Sequence, residues 1–303
     1  MTALQRKRRI KRSAEDIIVD VVVHLVTFLL LVATIYPFWY VIVLSLNDGV
    51  DALRGGIYFW PRKFTFANYE QFLGDPKWID AIFISVAKTL VGTGLTILFT
   101  CLVAYGLSTD GLVFRKFYSI ILLICMYFSG GLIPYYLTLR TYGLLNKFWV
   151  YVIPPMFSTY YCMLAMSFFR EHPPALAESA RLDGAGEITI FLRIIMPLSK
   201  PLLATLGLFA AVSQWNAWSD TAFFAPSNPG LRSLAFLMRG VIVQNQVDTS
   251  SRVAMMKAAQ YSATTATSIQ MAAMIIAVLP IMCVYPFLQK HFVKGIMLGA
   301  VKG

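Results

Sequence analysis

Charged residues divide this sequence into long uncharged stretches. Asp20 to Asp48 leaves 27 uncharged positions, Lys88 to Asp110 leaves 21, and Lys116 to Arg140 leaves 23. Lys147 to Arg170 leaves 22, Lys200 to Asp220 leaves 19, and Lys257 to Lys290 leaves 32. A helix needs about 20 apolar residues to cross the hydrocarbon core of a bilayer. These runs are continuously apolar and do not alternate with period two, so each predicts a helix and not a barrel strand. The pattern predicts six membrane-crossing helices, over residues 21–46, 86–108, 117–138, 148–169, 201–221 and 269–289. The last begins well inside its stretch, because Ala258 to Ser268 is rich in Ser, Thr and Ala.

Composition supports that reading. Of 303 residues, 58% are hydrophobic and 14% charged, against roughly 45–50% and 25% in soluble chains. The fold class is therefore an all-α integral membrane protein with a six-span transmembrane domain over 21–290. A formal charge of +11 could suggest nucleic acid, but six of the 26 Lys/Arg lie between Arg6 and Arg12, just before an apolar run. That is how a cytoplasmic anchor beside a membrane helix is built, so residues 1–20 read as a basic cytoplasmic terminus. With the N-terminus inside, segments 1–20, 109–116, 170–200 and 290–303 hold 15 Lys/Arg. The opposite segments 47–80, 139–147 and 220–268 hold 10. This bias places both termini, including a tail over 291–303, in the cytoplasm. Lys88 is the one clear candidate for a charge inside a span, the alternative being that it snorkels to the outer surface. Cys101, Cys125, Cys162 and Cys283 lie in apolar runs and read as small buried hydrophobes. His24, His172 and His291 carry no ligand spacing, so no metal site and no catalytic group is expected. No cleavage site closes the first apolar run, so no signal peptide is expected.

The connection from Arg170 to Lys200 carries helix signals. Pro173-Pro174 starts a helix, good helix formers follow, and Gly184 stands where a C-terminus favours positive φ. A second helix begins at Glu187, whose charge suits a helix N-terminus, and Pro197 discourages its continuation. It places Ile188, Phe191, Leu192 and Ile195 on one face, an exposed apolar stripe. Glu178 can pair with Arg181 at i+3 or with a partner protein. Such a segment either rests on lipid headgroups or docks a soluble partner.

The string Glu178-Ser179-Ala180-Arg181-Leu182-Asp183-Gly184, nine further residues, then Ile194-Ile195-Met196-Pro197 resembles the EAA loop of ABC importer permeases. Ser179 and Met196 depart from that pattern by small changes in volume. Trp60 to Tyr69, Ala104-Tyr105-Gly106-Leu107-Ser108, Gly131-Leu132-Ile133-Pro134, Gly143 to Asn146, Trp215-Asn216 and the closing Phe292 to Gly303 also resemble the carbohydrate-uptake, maltose-transporter-like branch.

The resemblance implies a type I importer permease in a bacterial cell membrane. It pairs with a second permease subunit, two copies of an ATPase subunit and an extracellular solute-binding receptor protein, and it carries oligosaccharide. ATPase coupling would fall to Glu178, Ser179, Ala180, Asp183, Gly184, Ile188, Phe191, Ile194 and Pro197. The chain has no G-x-x-x-x-G-K-[ST] phosphate loop, so ATP and magnesium are expected in the partner and no cofactor in this chain. Aromatic faces and hydrogen-bonding groups hold sugars, which nominates Tyr135, Tyr136, Tyr160, Tyr161, Trp215 and Asn216 for the path. Asn216 should face the bundle or the path, being costly against lipid. Three rival readings stand beside this one. They are a permease of the same class for another solute, an ion-coupled transporter, and a membrane scaffold. The second usually needs carboxylates deep in the spans, and none falls there.

Overall fold

The computed structural model describes residues 14–109, 111–247 and 264–300. The basic cluster Arg6–Arg12 and the last three residues lie outside the described residues. So does most of the Ser/Thr/Ala-rich stretch before the last helix. Among the described residues the fold is all-α, with one isolated antiparallel bridge, Asn47 to Phe64.

In chain order, α1 is Ala14–Ser45, and two short helices follow, α2 Gly49–Leu53 and α3 Ala67–Gly74. Then come α4 Pro76–Ser108, α5 Arg115–Tyr127, α6 Leu132–Thr141 and α7 Thr159–Phe169. The segment after it holds α8 Pro174–Leu182, α9 Glu187–Ile190 and α10 Met196–Leu198. The rest is α11 Lys200–Asn216, α12 Ser219–Phe224, α13 Leu234–Val247 and α14 Ala266–Ala300. Three helices are long and apolar enough to cross a membrane unaided: Glu15–Ser45, Pro76–Ser108 and Thr267–Val284.

The remaining stretches are bent. The run 117–138 suggests one helix, yet α5 and α6 meet at 113°. Ser129-Gly130-Gly131 lies at the corner, and Gly131 has φ 83°, a conformation that glycine adopts without steric cost. The run 148–169 opens as two 3₁₀ turns, Phe148–Tyr151 and Pro154–Met156, then bends by 44° into α7. Pro154-Pro155 supplies no N–H to continue a helix there. After Asn216 the chain leaves helical geometry, and α12 begins at Ser219.

Each break releases backbone groups that lipid cannot satisfy, and α4 supplies partners for them. Lys88 Nζ donates to Ala217 O (2.7 Å), the carbonyl freed where α11 ends. Thr96 Oγ1 donates to Pro155 O (3.1 Å), and Thr100 Oγ1 accepts from Ser158 N (3.3 Å). Ser85 Oγ accepts from Leu234 N (2.8 Å) at the start of α13. Ser85, Lys88, Gly92, Thr96 and Thr100 fall three or four residues apart, on one face of α4. At Gly92 that face has no room for a side chain. A Cβ would stand 2.6 Å from Gln214 Nε2, which donates to Tyr151 O (3.1 Å).

Of the two readings of Lys88, the structure shows the buried one. It does not snorkel outward but is fully buried, with Asp220 Oδ2 at 2.9 Å and the Tyr151 ring 5.1 Å away. Tyr151 in turn donates to Leu231 O (2.7 Å), and its hydroxyl lies 3.2 Å from Thr221 Oγ1. The cysteines also divide. Cys101 and Cys162 sit in one buried core, whereas Cys125 and Cys283 are exposed on this chain.

Three apolar cores surround α4, and it contributes to all of them. Cys101, Ala104 and Tyr105 join the core with α7, α9 and α11. Trp78 and Ala81 join Phe72, Trp215 and Ala273. Ile84 and Leu95 pack on the core around Tyr151 and Phe224.

Removing one partner of a buried ion pair costs about 3–5 kcal/mol, because the other charge stays buried and uncompensated. Lys88→Met is therefore expected to lower the thermal midpoint of the lipid-reconstituted protein sharply. Lys88→Met combined with Asp220→Leu should recover part of the loss, and an unchanged midpoint in the single variant would contradict this arrangement.

Candidate functional site

Pro174 occupies the first turn of α8, where its missing N–H is not needed. The helix ends in a Schellman turn. Gly184 N donates to Arg181 O (3.0 Å) and Ala185 N to Ala180 O (2.9 Å), with Gly184 at φ 82°. Gly186 then leads into α9, with Thr189 N and Ile190 N both donating to Gly186 O.

Pro197 does not stop the second helix. Between α9 and α10 the chain forms a π-turn over Phe191–Ile195, and Met196 N donates to Phe191 O, five residues back. A proline ring clashes with the carbonyl four residues before it. The wider turn relieves that conflict and lets the helix run on to Leu198. Ser199 closes the segment. Its Oγ donates to Ile195 O (2.8 Å) and therefore accepts from His172 Nε2 (3.0 Å), tying the two ends together. Burial holds the His172 pKa below the ordinary imidazole range.

The predicted stripe is split. Phe191 is 1% exposed and Ile195 is also buried, both inside the core with Tyr105 and Phe169. The Phe191 ring lies 5.4 Å from that of Tyr105. Facing outward instead are Leu182 at 89%, Ile188 at 69% and Leu192. Glu178, Ser179, Asp183, Gly184 and Pro197 are exposed with them, while Ala180 and Ile194 are half-buried against the core.

Arg181 pairs not with Glu178 but across the Gly184 turn. Its Nε lies 2.7 Å from Glu187 Oε1, and Tyr105 Oη donates to Glu187 Oε2 at 2.7 Å. The hydrogen bond from Arg181, and then that from Tyr105, hold the Glu187 carboxyl below its usual value of 4.5. Tyr105 belongs to α4, so α8 and α9 are clamped to one end of the helix whose first half buries Lys88. The sequence contains all three residues but no spacing that joins Tyr105 to a carboxylate 82 positions later.

The nominated path residues form separate groups. Tyr135 and Tyr136 flank Phe224, with ring centroids 5.5 and 6.4 Å away. An open cleft lies beside them, lined by Ser129, Thr138 and Ser219 among others. Tyr161 stacks on Phe209 at 6.4 Å, with Tyr160 next to it. Trp215 is packed in a core and donates Nε1 to Ala277 O (3.0 Å), holding α11 to α14. Asn216 does not face this chain's own bundle. It is exposed and donates to Val212 O one turn back.

No family model matches the chain. Protein LplC of Bacillus subtilis is 34% identical over 270 residues, 89% of this chain and 90% of that protein. A polygalacturonan/rhamnogalacturonan transport system permease protein of Bacillus subtilis, YtcP, is 32% identical over 278 residues, 91% and 96% of the two chains. Among solved structures, a bacterial ABC transporter that imports the acidic polysaccharide alginate contains a chain with the same fold. Its TM-score is 0.85 at 24% identity, covering 93% of this chain and 99% of that one. Likeness at this level over nearly the full length of both relatives fixes the family: the chain belongs to the sugar permease subunits of ABC importers, the non-catalytic membrane component of those systems.

Proposed function

We propose that this chain forms half of the translocation path of an ATP-driven, receptor-dependent oligosaccharide importer. It crosses the cytoplasmic membrane of a bacterium six times, over approximately the six uncharged stretches, with residues 1–20, 170–200 and 291–303 inside. A second permease subunit pairs with it, two ATPase subunits bind below, and an extracellular receptor delivers the sugar. ATP and magnesium act in the ATPase. Oligosaccharide is favoured as solute because a relative 32% identical over 91% of this chain is a polygalacturonan/rhamnogalacturonan transport system permease protein.

The observation that carries the coupling role is the clamp of α8 and α9 onto α4 through Arg181, Glu187 and Tyr105. Leu182, Ile188 and Leu192 form the face that enters a groove of the ATPase, with Glu178, Ser179 and Asp183 at its rim. Gly184 shapes the turn that presents it. Ala180, Phe191 and Ile194 act from behind, fixing the segment to the core, and Pro197 sets the π-turn that joins α9 to α10. The segment and α4 then move as one body when the ATPase subunits close, which transmits the motion into the membrane. The sugar passes Tyr135, Tyr136, Tyr160, Tyr161 and Asn216, with Trp215 holding α11 beside the path.

Co-expression with a partner permease, ATPase and receptor, followed by reconstitution in lipid, tests this reading by ATP hydrolysis against acidic and neutral oligosaccharides. One sugar is expected to stimulate hydrolysis only with its receptor, and Gly184→Trp to abolish the stimulation. Failure of any ATPase to co-purify would overturn the coupling role. Glu187→Gln should leave assembly intact while lowering the ratio of stimulated to basal hydrolysis several-fold. Because the folded Glu187 pKa is depressed, its contribution is complete above about pH 4.5 and lost as pH falls through the folded value. The protection of residues 174–198 against hydrogen exchange, measured relative to the intrinsic rate at each pH, should therefore fall under acid in the parent chain, and Glu187→Gln should remove that dependence.

A further inference from the structure

The segment from Ile57 to Trp60 serves neither the coupling site nor the sugar path, yet it is rich in exposed aromatic surface. Ile57 is buried and pins the strip, while Tyr58, Phe59 and Trp60 are 60%, 64% and 73% exposed. The strip does not stand away from the helices. It folds back along α1, where the Phe59 ring lies 5.9 Å from Tyr36 and the Trp60 ring meets Trp39 edge-on at 5.5 Å. Trp39 Nε1 donates to Phe59 O (2.9 Å), which fixes the strip at that level of the helix.

The level can be counted. The last charge before the apolar part of α1 is Asp20. About 20 residues from there, at 1.5 Å each, cover the roughly 30 Å hydrocarbon core and end at Tyr40. Tyr36, Trp39 and Tyr40 therefore mark the far boundary of the bilayer, where tyrosine and tryptophan concentrate. The helix continues to Ser45, so the contact with Trp39 lies about 9 Å back from its end and that with Tyr36 about 14 Å. A loop meant for an aqueous partner would project beyond Ser45, whereas this one descends to the boundary.

The return is braced from above. Asp48 N donates to Lys63 O (2.9 Å) and Thr65 N to Leu46 O (2.9 Å). Arg62 reaches both Asp51 (3.1 Å) and Gly55 O (2.5 Å). The strip is thus held in a fixed pose with its apolar side outward, in continuity with the exposed apolar surface of α1 from Ile17 to Trp39.

We propose that Tyr58, Phe59 and Trp60 form an interfacial anchor. They lie in the glycerol and headgroup layer of the outer leaflet and fix the depth of α1, which has little packing of its own along its apolar length. The partner is phospholipid. Rings with an apolar body and a polar edge suit that layer, as do the Tyr58 hydroxyl and the Trp60 indole N–H. The inference rests on α1 crossing the bilayer as proposed above, and is independent of the solute carried.

Fluorescence quenching in the reconstituted assembly tests it. Phosphatidylcholine brominated high on its acyl chains, next to the glycerol, is compared with phosphatidylcholine brominated near the chain ends. The emission lost on Trp60→Phe, obtained by difference from the parent, isolates one of the six tryptophans. That component should be quenched strongly by the shallow bromines and weakly by the deep ones. If neither lipid quenches it while the remaining tryptophan emission is quenched, protein covers the strip, a second permease or a receptor, and the lipid assignment is overturned. If no tryptophan is quenched by either lipid, the membrane reading itself fails and the anchor fails with it. Trp60→Phe keeps the ring contact with Trp39, so fold loss is not expected. Unchanged basal ATP hydrolysis in that variant verifies this.

Discussion

Backbone polar groups inside a bilayer have no water to bind, and this constraint organises the molecule. A straight helix satisfies its own backbone, but three of the six apolar stretches here are broken. The broken ends are tolerated because α4 carries a polar stripe along the face it buries. Ser85, Lys88, Thr96 and Thr100 each bond backbone released elsewhere. Lys88 has the most demanding role. It fills the carbonyl left open at Ala217, and Asp220, three residues beyond that break, balances its charge. Neither a neutral donor nor an unpaired lysine would meet both requirements in a buried site.

The same helix explains how the segment 174–198 is held. The first half of α4 stabilises the C-terminal end of α11, and its last turn presents Tyr105 to Glu187. Along its length α4 contributes to all three apolar cores, so it cannot shift without disturbing each of them. A segment fixed to such a rod transmits displacement, whereas one joined only through loops would absorb it. Phe191 and Ile195 strengthen the attachment by burying their side chains in this chain's own core, leaving Leu182 and Ile188 exposed.

Much of this was legible in the sequence. The apolar stretches follow from the spacing of charges, and the turn at Gly184 follows from its place after a helix beginning at Pro174. The bends are only hinted at, by Gly130-Gly131 and Pro154-Pro155, because helix-breaking residues also occur in straight membrane helices when neighbours satisfy the backbone. Lys88 looks solitary in sequence because its partner lies 132 positions later. The division of the stripe between Phe191 and Ile188 depends on a π-turn around Pro197, which periodicity at 3.6 residues does not represent. The path residues are the least legible. Tyrosines suit a sugar face and a membrane boundary equally well, and one chain does not contain the surface that would face them.

The central claim is that α4 and the segment 174–198 move as one body. It is tested most directly by the distance between spin labels at Leu182→Cys and Asp80→Cys, near the two ends of that body. The labels are placed in a chain whose exposed Cys125 and Cys283 have been changed to Ser. In the reconstituted assembly the distance should be the same without nucleotide and with ATP trapped, while the distance from Leu182→Cys to a label on the second permease changes. If the Leu182–Asp80 distance itself shifts between the two states, the segment moves independently of α4, and the clamp through Tyr105 and Glu187 does not transmit the motion.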